Sequence, residues 1–202
     1  MAVVSASGTN TTLQFAAENP PGGFGLDDIS VDPLLPPIFT SQPTNLTLYT
    51  GGTAVLSGAV KGTGPMAYQW IDAGTNLVDG GSVSGSSSST LMISPAVLGN
   101  TGLYALVVTN NYGSITSSWA ALTVLLPPAI GSFSINPDGG FNLSLFGTPG
   151  HAYVLEAATN LSAPMAWYPV ATNTLGASGA WSFTDFSATN RPQQFYRLTT
   201  AQ

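Results

Sequence analysis

The side chains that most often perform catalysis are scarce in this sequence. His151 is the only histidine and cysteine is absent, so neither a thiolate metal site nor a cysteine nucleophile can form. His151 follows Gly150 at the start of an apparent strand, with no second ligand at a metal-binding spacing, which favours a surface position over catalysis. No G-x-S-x-G elbow occurs, so a Ser-His-Asp triad has no support. The sequence therefore predicts a protein that is not an enzyme.

Charged residues are also scarce, and this excludes one class of partner. Only 6% of residues are charged, far below the roughly 25% of ordinary soluble proteins, and the net charge is -6. Lys61, Arg191 and Arg197 are the only cations, too few to neutralise a run of phosphates, so nucleic acid is excluded as a partner. No apolar run approaches the ~20 residues of a membrane-spanning helix. Neutral Ser, Thr, Asn and Gly supply the polar surface, which favours an extracellular or cell-surface location.

Proline-rich junctions and short strands indicate the organisation of the chain. The motif LLPP occurs at 34–37 and at 125–128, each time between two strand-like runs. Short β-branched or aromatic runs are interrupted by Gly, Asn and Pro about every 8 to 12 residues, without a helical period, which is typical of β-sandwiches. In the middle segment, five strands are predicted at 53–60, 66–72, 90–95, 103–110 and 114–124. The predicted units are a hairpin at 1–32 and two sandwiches at 38–124 and 129–202.

The middle segment carries motifs of a known family. GTGPMAYQW, NTGLYALVVTN and the closing ALTV make residues 38–124 resemble the immunoglobulin-like family, in the cysteine-free version of large bacterial surface and secreted proteins. The resemblance implies that Trp70 packs between two sheets and that Tyr104 forms a tyrosine corner. Gly58 and Leu106 take the positions of the family's two half-cystines, so apolar packing replaces the disulfide. Trp70 or Leu106 must then fill the space beside Gly58.

The last segment resembles a second kind of sandwich. GHAYVLEAATNL, MAWYPVATNT, WSFTDF and QQFYRL make residues 129–202 similar to a fibronectin type III-like C-terminal module of the same bacterial proteins. The candidate core residues are Tyr153, Leu155, Trp167, Phe183, Phe195 and Leu198. The predicted fold class is therefore all-β, with tandem β-sandwiches preceded by an orphan β-hairpin.

The first 32 residues contain two predicted strands without a sheet to join. Leu13, Phe15 and Ala17 alternate with polar neighbours, a Pro-Pro-Gly-Gly turn follows, and residues 26–31 are the second predicted strand. An isolated hairpin buries too little apolar surface to be stable, so we expect it to contact a sheet from elsewhere. Its expected interface residues are Leu13, Phe15, Leu26, Ile29 and Val31.

The run LDDISV in this hairpin resembles the last strand of a jelly-roll carbohydrate-binding-like domain. In that family an Asp of such a pair commonly ligates a structural calcium, so the resemblance implies a calcium site at Asp27 and Asp28. The residues that would complete the cage are absent. No other cofactor is predicted.

Trp119 is the remaining candidate binding residue. With Ala120, Leu122 and Val124 as the inward positions of the last strand of the middle segment, Trp119 faces outward. An outward Trp can lie in a protein interface or stack on a sugar ring, and a Trp covered by a neighbouring domain has the same sequence pattern.

These features favour a non-catalytic structural or adhesive surface protein that self-associates or binds another surface protein. One form of it is a filament subunit whose N-terminal hairpin adds to a sheet of the next subunit as donor strands. The alternative is a carbohydrate-binding accessory region of a secreted multidomain hydrolase, with a glycan as its partner.

Overall fold

The computed structural model describes residues 33–201, and its regular elements are β-strands and two short 3₁₀ helices. The predicted all-β class with tandem sandwiches is confirmed. In the described part of the chain, no helix has the length and apolarity to cross a membrane. The first group of strands is β1 (Ile38–Ser41), β2 (Leu46–Tyr49), β3 (Ala54–Ser57), β4 (Ala59–Lys61), β5 (Ala67–Asp72), β6 (Thr75–Asn76), β7 (Val83–Ser84), β8 (Thr90–Ile93), β9 (Gly102–Asn110), β10 (Gly113–Thr116) and β11 (Ala120–Leu125), with a 3₁₀ helix at Leu98–Asn100.

The strands of this first group form a sandwich of unequal sheets. The larger sheet is 6-stranded, with the order β2-β11-β9-β5-β6 and with β10 also paired to β9. The smaller sheet is 3-stranded, with the order β3-β8-β7, and β1 pairs separately with β4. The pair β11–β2 is parallel, whereas the other pairs are antiparallel.

The core of the first sandwich lies between these two sheets. Trp70 and Leu106 have no exposed surface and Tyr104 is 2% exposed, so the three predicted core residues are confirmed. The inward phase of β11 is also correct, because Ala120, Leu122 and Val124 are buried while their neighbours are not. The other buried members of the cluster are Ala54, Leu56, Leu91, Ile93, Ala96 and Val108.

Gly58 occupies a tight position in this core. A Cβ atom added to Gly58 would meet the Leu106 side chain at 3.2 Å and the Phe39 ring at 3.1 Å. Leu106 therefore fills the space as predicted, together with Phe39. Apolar contacts stand where the related fold has a disulfide.

Two predicted strands are each divided in the structure. The predicted strand 53–60 is β3 and β4, which pair with different neighbours on either side of Gly58. The predicted strand 114–124 is β10 and β11, separated by Ser117–Trp119. Ser117 is buried and exchanges hydrogen bonds with the backbone of Leu106, so the interruption is a local bulge in the strand and not a loop.

The second group of strands forms a smaller sandwich of two 3-stranded sheets. The sheet orders are β12-β13-β16 and β15-β14-β17, and every pair is antiparallel. The strands are β12 (Ala129–Ile135), β13 (Phe141–Phe146), β14 (Ala152–Ala158), β15 (Tyr168–Thr174), β16 (Ala180–Asp185) and β17 (Phe195–Thr200), with a 3₁₀ helix at Ala188–Asn190.

The core of the second sandwich is confirmed in part. Tyr153, Leu155 and Leu198 are buried in one cluster, and Phe183 packs against it. Two core candidates are wrong, because Phe195 is half-buried outside the cluster and Trp167 lies beneath the Arg197 guanidinium at 4.5 Å. Phe195 and Arg197 lie on one face of β17, and the core residue Leu198 lies on the other face. Phe195, and Trp167 beneath Arg197, are therefore outside the core. The fibronectin type III resemblance stays a prediction.

Both LLPP segments are bound to the neighbouring sandwich. The backbone N–H of Leu35 donates to Thr63 Oγ1 at 2.8 Å, and Asn110 Nδ2 donates to the Leu35 carbonyl at 2.8 Å. In the second junction, the N–H of Leu126 donates to Thr148 Oγ1 at 2.7 Å. These bonds fix where the chain enters and leaves the first sandwich.

Candidate interaction site

The described residues do not bring reactive side chains together. Among residues 33–201, no three His, Cys, Asp or Glu side chains are close enough to hold a metal ion. His151 is exposed, and only its backbone makes the hydrogen bonds that precede β14. The strongest polar arrangement is a single buried carboxylate, that of Asp185.

Asp185 connects the end of β16 to the start of β17. It is 6% exposed, and its Oδ1 accepts hydrogen bonds from the N–H and the hydroxyl of Ser187, both at 2.7 Å. Its Oδ2 accepts from Gln194 Nε2 at 3.0 Å and from the Tyr196 hydroxyl at 2.9 Å. Burial raises the pKa of the Asp185 carboxyl, but the hydrogen bonds together outweigh burial and hold the pKa below its usual value.

The role of Asp185 is structural, since both of its carboxylate oxygens accept hydrogen bonds from protein groups. Burial and the contact with Asp185 raise the pKa of Tyr196, so its hydroxyl remains a donor. The sequence analysis did not single out Asp185. The signal for a turn was Asp185 followed two residues later by Ser187, a spacing at which an Asp side chain bonds to backbone.

The outer face of the sheet β15-β14-β17 carries an ion pair and a shallow depression. Arg197 Nε donates to Glu156 Oε2 at 2.7 Å, and the same guanidinium lies over the Trp167 ring. The depression beside them, about 440 Å³, is lined by Val154, Glu156, Arg197, Thr199, Thr200 and Ala201. Because the single cation there is already paired, the depression offers little to an anionic ligand.

Trp119 lies at the bulge between β10 and β11 and is 48% exposed. The connection between β1 and β2 holds the bulge, because Ser118 N–H donates to Gln42 Oε1 and Ala121 N–H donates to Asn45 Oδ1, both at 2.9 Å. A half-exposed Trp ring suits either a protein or a sugar partner. Its role in an interface stays a prediction.

A second apolar surface lies on edge strand β12 of the second sandwich. Phe133 pairs with Leu143 and Ile135 pairs with Phe141, so both β12 residues point toward the core side of the sheet. They are nevertheless 72% and 70% exposed. Phe133 stacks on Phe141 at 5.5 Å, and Phe141 stacks on Tyr196 of β17 at 5.6 Å. The aromatic row thus begins in the core and ends at the surface.

The reason for this exposure is the width of the facing sheet. Strand β17 contacts β12 and is the last strand of its sheet among residues 33–201. Phe141 of β13 stacks on Tyr196 of β17, so the inward side chains of β12, the next strand of that sheet, extend past the edge of the opposite sheet. We call the exposed side chains of Phe133 and Ile135, together with the outer edge of β17, the open side.

Residues 37–124 match the family model of the immunoglobulin I-set domain. The first sandwich is an immunoglobulin-like domain. A fragment of the titin I-band has a TM-score of 0.50 at 18% identity, covering 75% of this chain and 65% of that chain, which supports the fold alone. A complex of titin M10 with a mutant obscurin-like 1 immunoglobulin domain is also similar, at 29% identity and a TM-score of 0.43, covering 46% of this chain and 97% of that chain. Tandem immunoglobulin repeats of Dlar are similar at 22% identity and a TM-score of 0.43, covering 46% of this chain and 49% of that chain.

The immunoglobulin-like domain has the internal markers of its fold. The Tyr104 hydroxyl donates to the Asn100 carbonyl at 2.8 Å, which is the tyrosine corner, and Trp70 Nε1 donates to the Ser88 carbonyl at 3.0 Å. Domains of this kind are typically non-catalytic structural or binding modules. A bacterial source stays a prediction.

The other predicted site residues lie outside the described part of the chain. They are the hairpin interface residues Leu13, Phe15, Leu26, Ile29 and Val31 and the calcium residues Asp27 and Asp28. The sequence did not single out the open side. The only signal for it is that Phe133 and Ile135 alternate with polar residues, and this pattern predicts buried side chains.

Proposed function

We propose that this protein is a non-catalytic structural subunit of an extracellular assembly, in which the N-terminal hairpin of one copy adds to a sheet of the next. The immunoglobulin-like domain serves as a rigid spacer in this assembly. The second sandwich, at the opposite end of that domain, receives the hairpin.

The observation that carries this proposal is the position of the two junctions on the immunoglobulin-like domain. Leu35 is hydrogen-bonded to Asn110, the last residue of β9. Strand β11 leads to the second sandwich from the other end, because its residue Leu122 pairs with Gly102 at the start of β9. Strand β9 has 9 residues, so these two ends are about 27 Å apart. The N-terminal segment and the second sandwich thus attach at opposite ends.

Attachment of the N-terminal segment and of the second sandwich at opposite ends of the immunoglobulin-like domain favours an open chain of subunits. A contact between the front of one copy and the back of the next is heterologous, and it repeats into a filament unless the rotation closes a ring. The low charge of the chain, 6% of residues, leaves little electrostatic repulsion between copies.

Sedimentation velocity over a hundredfold range of concentration tests this function. We expect the full chain to form a concentration-dependent series of oligomers, and the double variant Leu13→Asn/Phe15→Asn to stay monomeric. Leu103→Asn/Val55→Asn is the matched control, because these exposed side chains are 50% and 48% accessible and lie on the immunoglobulin-like domain. A full chain that is monomeric throughout, or oligomers unchanged in the hairpin variant, would contradict the proposal.

Glycan binding is the second candidate function, and exposed Trp119 is the observation that favours it. An exposed Trp ring can stack on the apolar face of a sugar. Binding of the full chain to a glycan array, lost in Trp119→Ala and reduced by a calcium chelator, would support this function. Retained binding in Trp119→Ala would exclude that residue as the sugar platform.

A further inference from the structure

The open side of the second sandwich combines exposed apolar side chains with a backbone edge that pairs with no other strand among residues 33–201. Ala201 N–H donates to the Ala152 carbonyl at 2.9 Å, continuing the antiparallel register in which Tyr153 pairs with Thr200. Along an antiparallel strand, hydrogen bonding to one neighbour alternates with residues that face away. The N–H and C=O groups of Tyr196, Leu198 and Thr200 therefore point away from β14, toward the outer edge of β17.

An added β-strand would satisfy both this backbone edge and the exposed apolar side chains. An added strand would lie about 4.8 Å beyond β17 and about 10 Å from the opposite sheet, which places its inward side chains against Phe133 and Ile135 of β12. A helix or a small molecule would satisfy only the apolar part. A polar loop would leave the aromatic row Phe133–Phe141–Tyr196 exposed at its outer end.

We propose that the hairpin of a second copy, residues 11–31, adds to the outer edge of β17 and covers Phe133 and Ile135, with the run 11–17 as the strand next to β17. This inference rests on the proposed function and names the surface that receives the hairpin. The added strand makes the sheet β15-β14-β17 four-stranded, so that it extends as far as β12.

The run 11–17 matches the open side in pattern and length. Leu13, Phe15 and Ala17 alternate with Thr12, Gln14 and Ala16, so one face of the strand is apolar and turns toward β12. Seven residues suffice to run along β17, which has 6 residues. Backbone hydrogen bonds to the edge provide the affinity, and the apolar side chains between the sheets fix the register.

A second copy fits this geometry better than the hairpin of the same chain. Only residues 32–34 separate Val31 from Leu35, and an extended chain of that length spans at most about 14 Å. Leu35 is bound at the Asn110 end of the immunoglobulin-like domain, about 27 Å from the end that leads to the second sandwich. The attachment point of the hairpin and the second sandwich therefore lie at opposite ends of the immunoglobulin-like domain, which favours a second copy as the source of the added strand.

Disulfide trapping between full-length chains tests the inference directly, because the sequence contains no cysteine. One chain carries Thr200→Cys on β17, and the other carries a single cysteine placed in turn at each residue from 11 to 17. Thr174→Cys is the matched control, since Thr174 is also an exposed final residue, on β15 at the other edge of the same sheet. The two sets are mixed and oxidised under conditions in which the wild-type chain assembles.

We expect at least one hairpin position to give tenfold more covalent heterodimer with Thr200→Cys than with Thr174→Cys. Equal yields at all seven positions would overturn the inference. Chains with both cysteines distinguish the two sources of the hairpin. An intramolecular disulfide that persists on dilution would show that the strand comes from the same chain, and would also contradict the proposal.

A second variant separates the acceptor surface from the hairpin itself. Phe133→Ser/Ile135→Ser removes exposed side chains, so the chain stays folded, and we expect its dissociation constant for assembly to rise at least tenfold. Val78→Ser, at a residue that is 78% exposed on the immunoglobulin-like domain, is the control with unchanged assembly. If the Leu13→Asn/Phe15→Asn variant loses assembly and the Phe133→Ser/Ile135→Ser variant keeps it, the hairpin function stands and the acceptor is wrong.

Discussion

The two sandwiches differ in how completely one sheet covers the other. In the immunoglobulin-like domain a 6-stranded sheet faces a 3-stranded one, and Trp70, Tyr104 and Leu106 are enclosed between them. In the second sandwich, two 3-stranded sheets face each other, and Phe133 and Ile135 on the inner side of β12 remain 72% and 70% exposed. The comparison shows that inward-facing side chains are buried only where the opposite sheet has a strand to cover them. The first sandwich is thus closed, and the second is open on one side.

The largest expected effect tests the closed core. Trp70→Ala removes a fully buried ring and its hydrogen bond to Ser88, and should lower the free energy of unfolding by about 3 to 5 kcal/mol. Trp119→Ala is the matched control, because half of that side chain is already exposed, and its loss should be below about 1 kcal/mol. Urea unfolding of the two variants measures both values. A loss under about 1 kcal/mol for Trp70→Ala would contradict the closed sandwich.

The second prediction concerns the buried carboxylate of the open sandwich. Asp185→Asn places an amide N–H₂ among the donors Ser187, Tyr196 and Gln194, so we expect a loss of about 1 to 3 kcal/mol. Asp138→Asn, at an exposed turn residue, is the control with little effect. Urea unfolding at pH 7 checks the difference. Equal stability of the two variants would mean that the Asp185 network does not stabilise the sandwich.

The third prediction is the pH dependence of the same residue. Because the pKa of Asp185 is lower in the folded than in the unfolded chain, its contribution is fully present above the unfolded value near 3.8 and is lost as pH falls toward the lowered pKa. Acid titration of stability should therefore show a decrease below about pH 4 that is smaller in Asp185→Asn. Parallel curves for the wild type and the variant would contradict this assignment.

The fourth prediction addresses the tyrosine corner. Tyr104→Phe removes the hydroxyl that donates to Asn100, and should cost about 1 kcal/mol. Burial and the charge of Asp72 raise the pKa of Tyr104 to about 12, so the bond should persist through mildly alkaline pH. Tyr112→Phe is the control, since Tyr112 is 41% exposed. Equal stability of the two variants in thermal unfolding would show that the corner contributes nothing.

The smallest stability effect is expected at the open side. Phe133→Ser/Ile135→Ser should change the unfolding free energy of the monomer by less than about 1 kcal/mol, since both side chains are mostly exposed. Unfolding of the diluted monomer measures this value. A loss above about 2 kcal/mol would show that these side chains belong to the core, and the contrast between the two sandwiches would disappear.

Sequence reasoning predicted the closed sandwich better than the open one, and the reason is physical. Trp70, Tyr104 and Leu106 follow one another at the spacing of a known fold, and alternation along a strand predicts which side chains point inward. Alternation does not show whether an opposite strand is present, so Phe133 and Ile135 have the pattern of buried residues. The bulge at Ser117–Trp119 depends on hydrogen bonds between Ser117 and Leu106, and the turn at Asp185 depends on a hydrogen bond from Tyr196. The sequence does not show these pairs, because the fold brings their residues together.

Amide hydrogen exchange along β17 tests the central claim, that the open side is completed by a strand from another copy. The N–H groups of Tyr196, Leu198 and Thr200 face the outer edge, while those of the alternate residues bond to β14 and provide an internal reference. The account predicts that raising the concentration from monomer to assembly slows exchange at these three residues at least tenfold and leaves the reference residues unchanged. Assembly without added protection at Tyr196, Leu198 and Thr200 would contradict it.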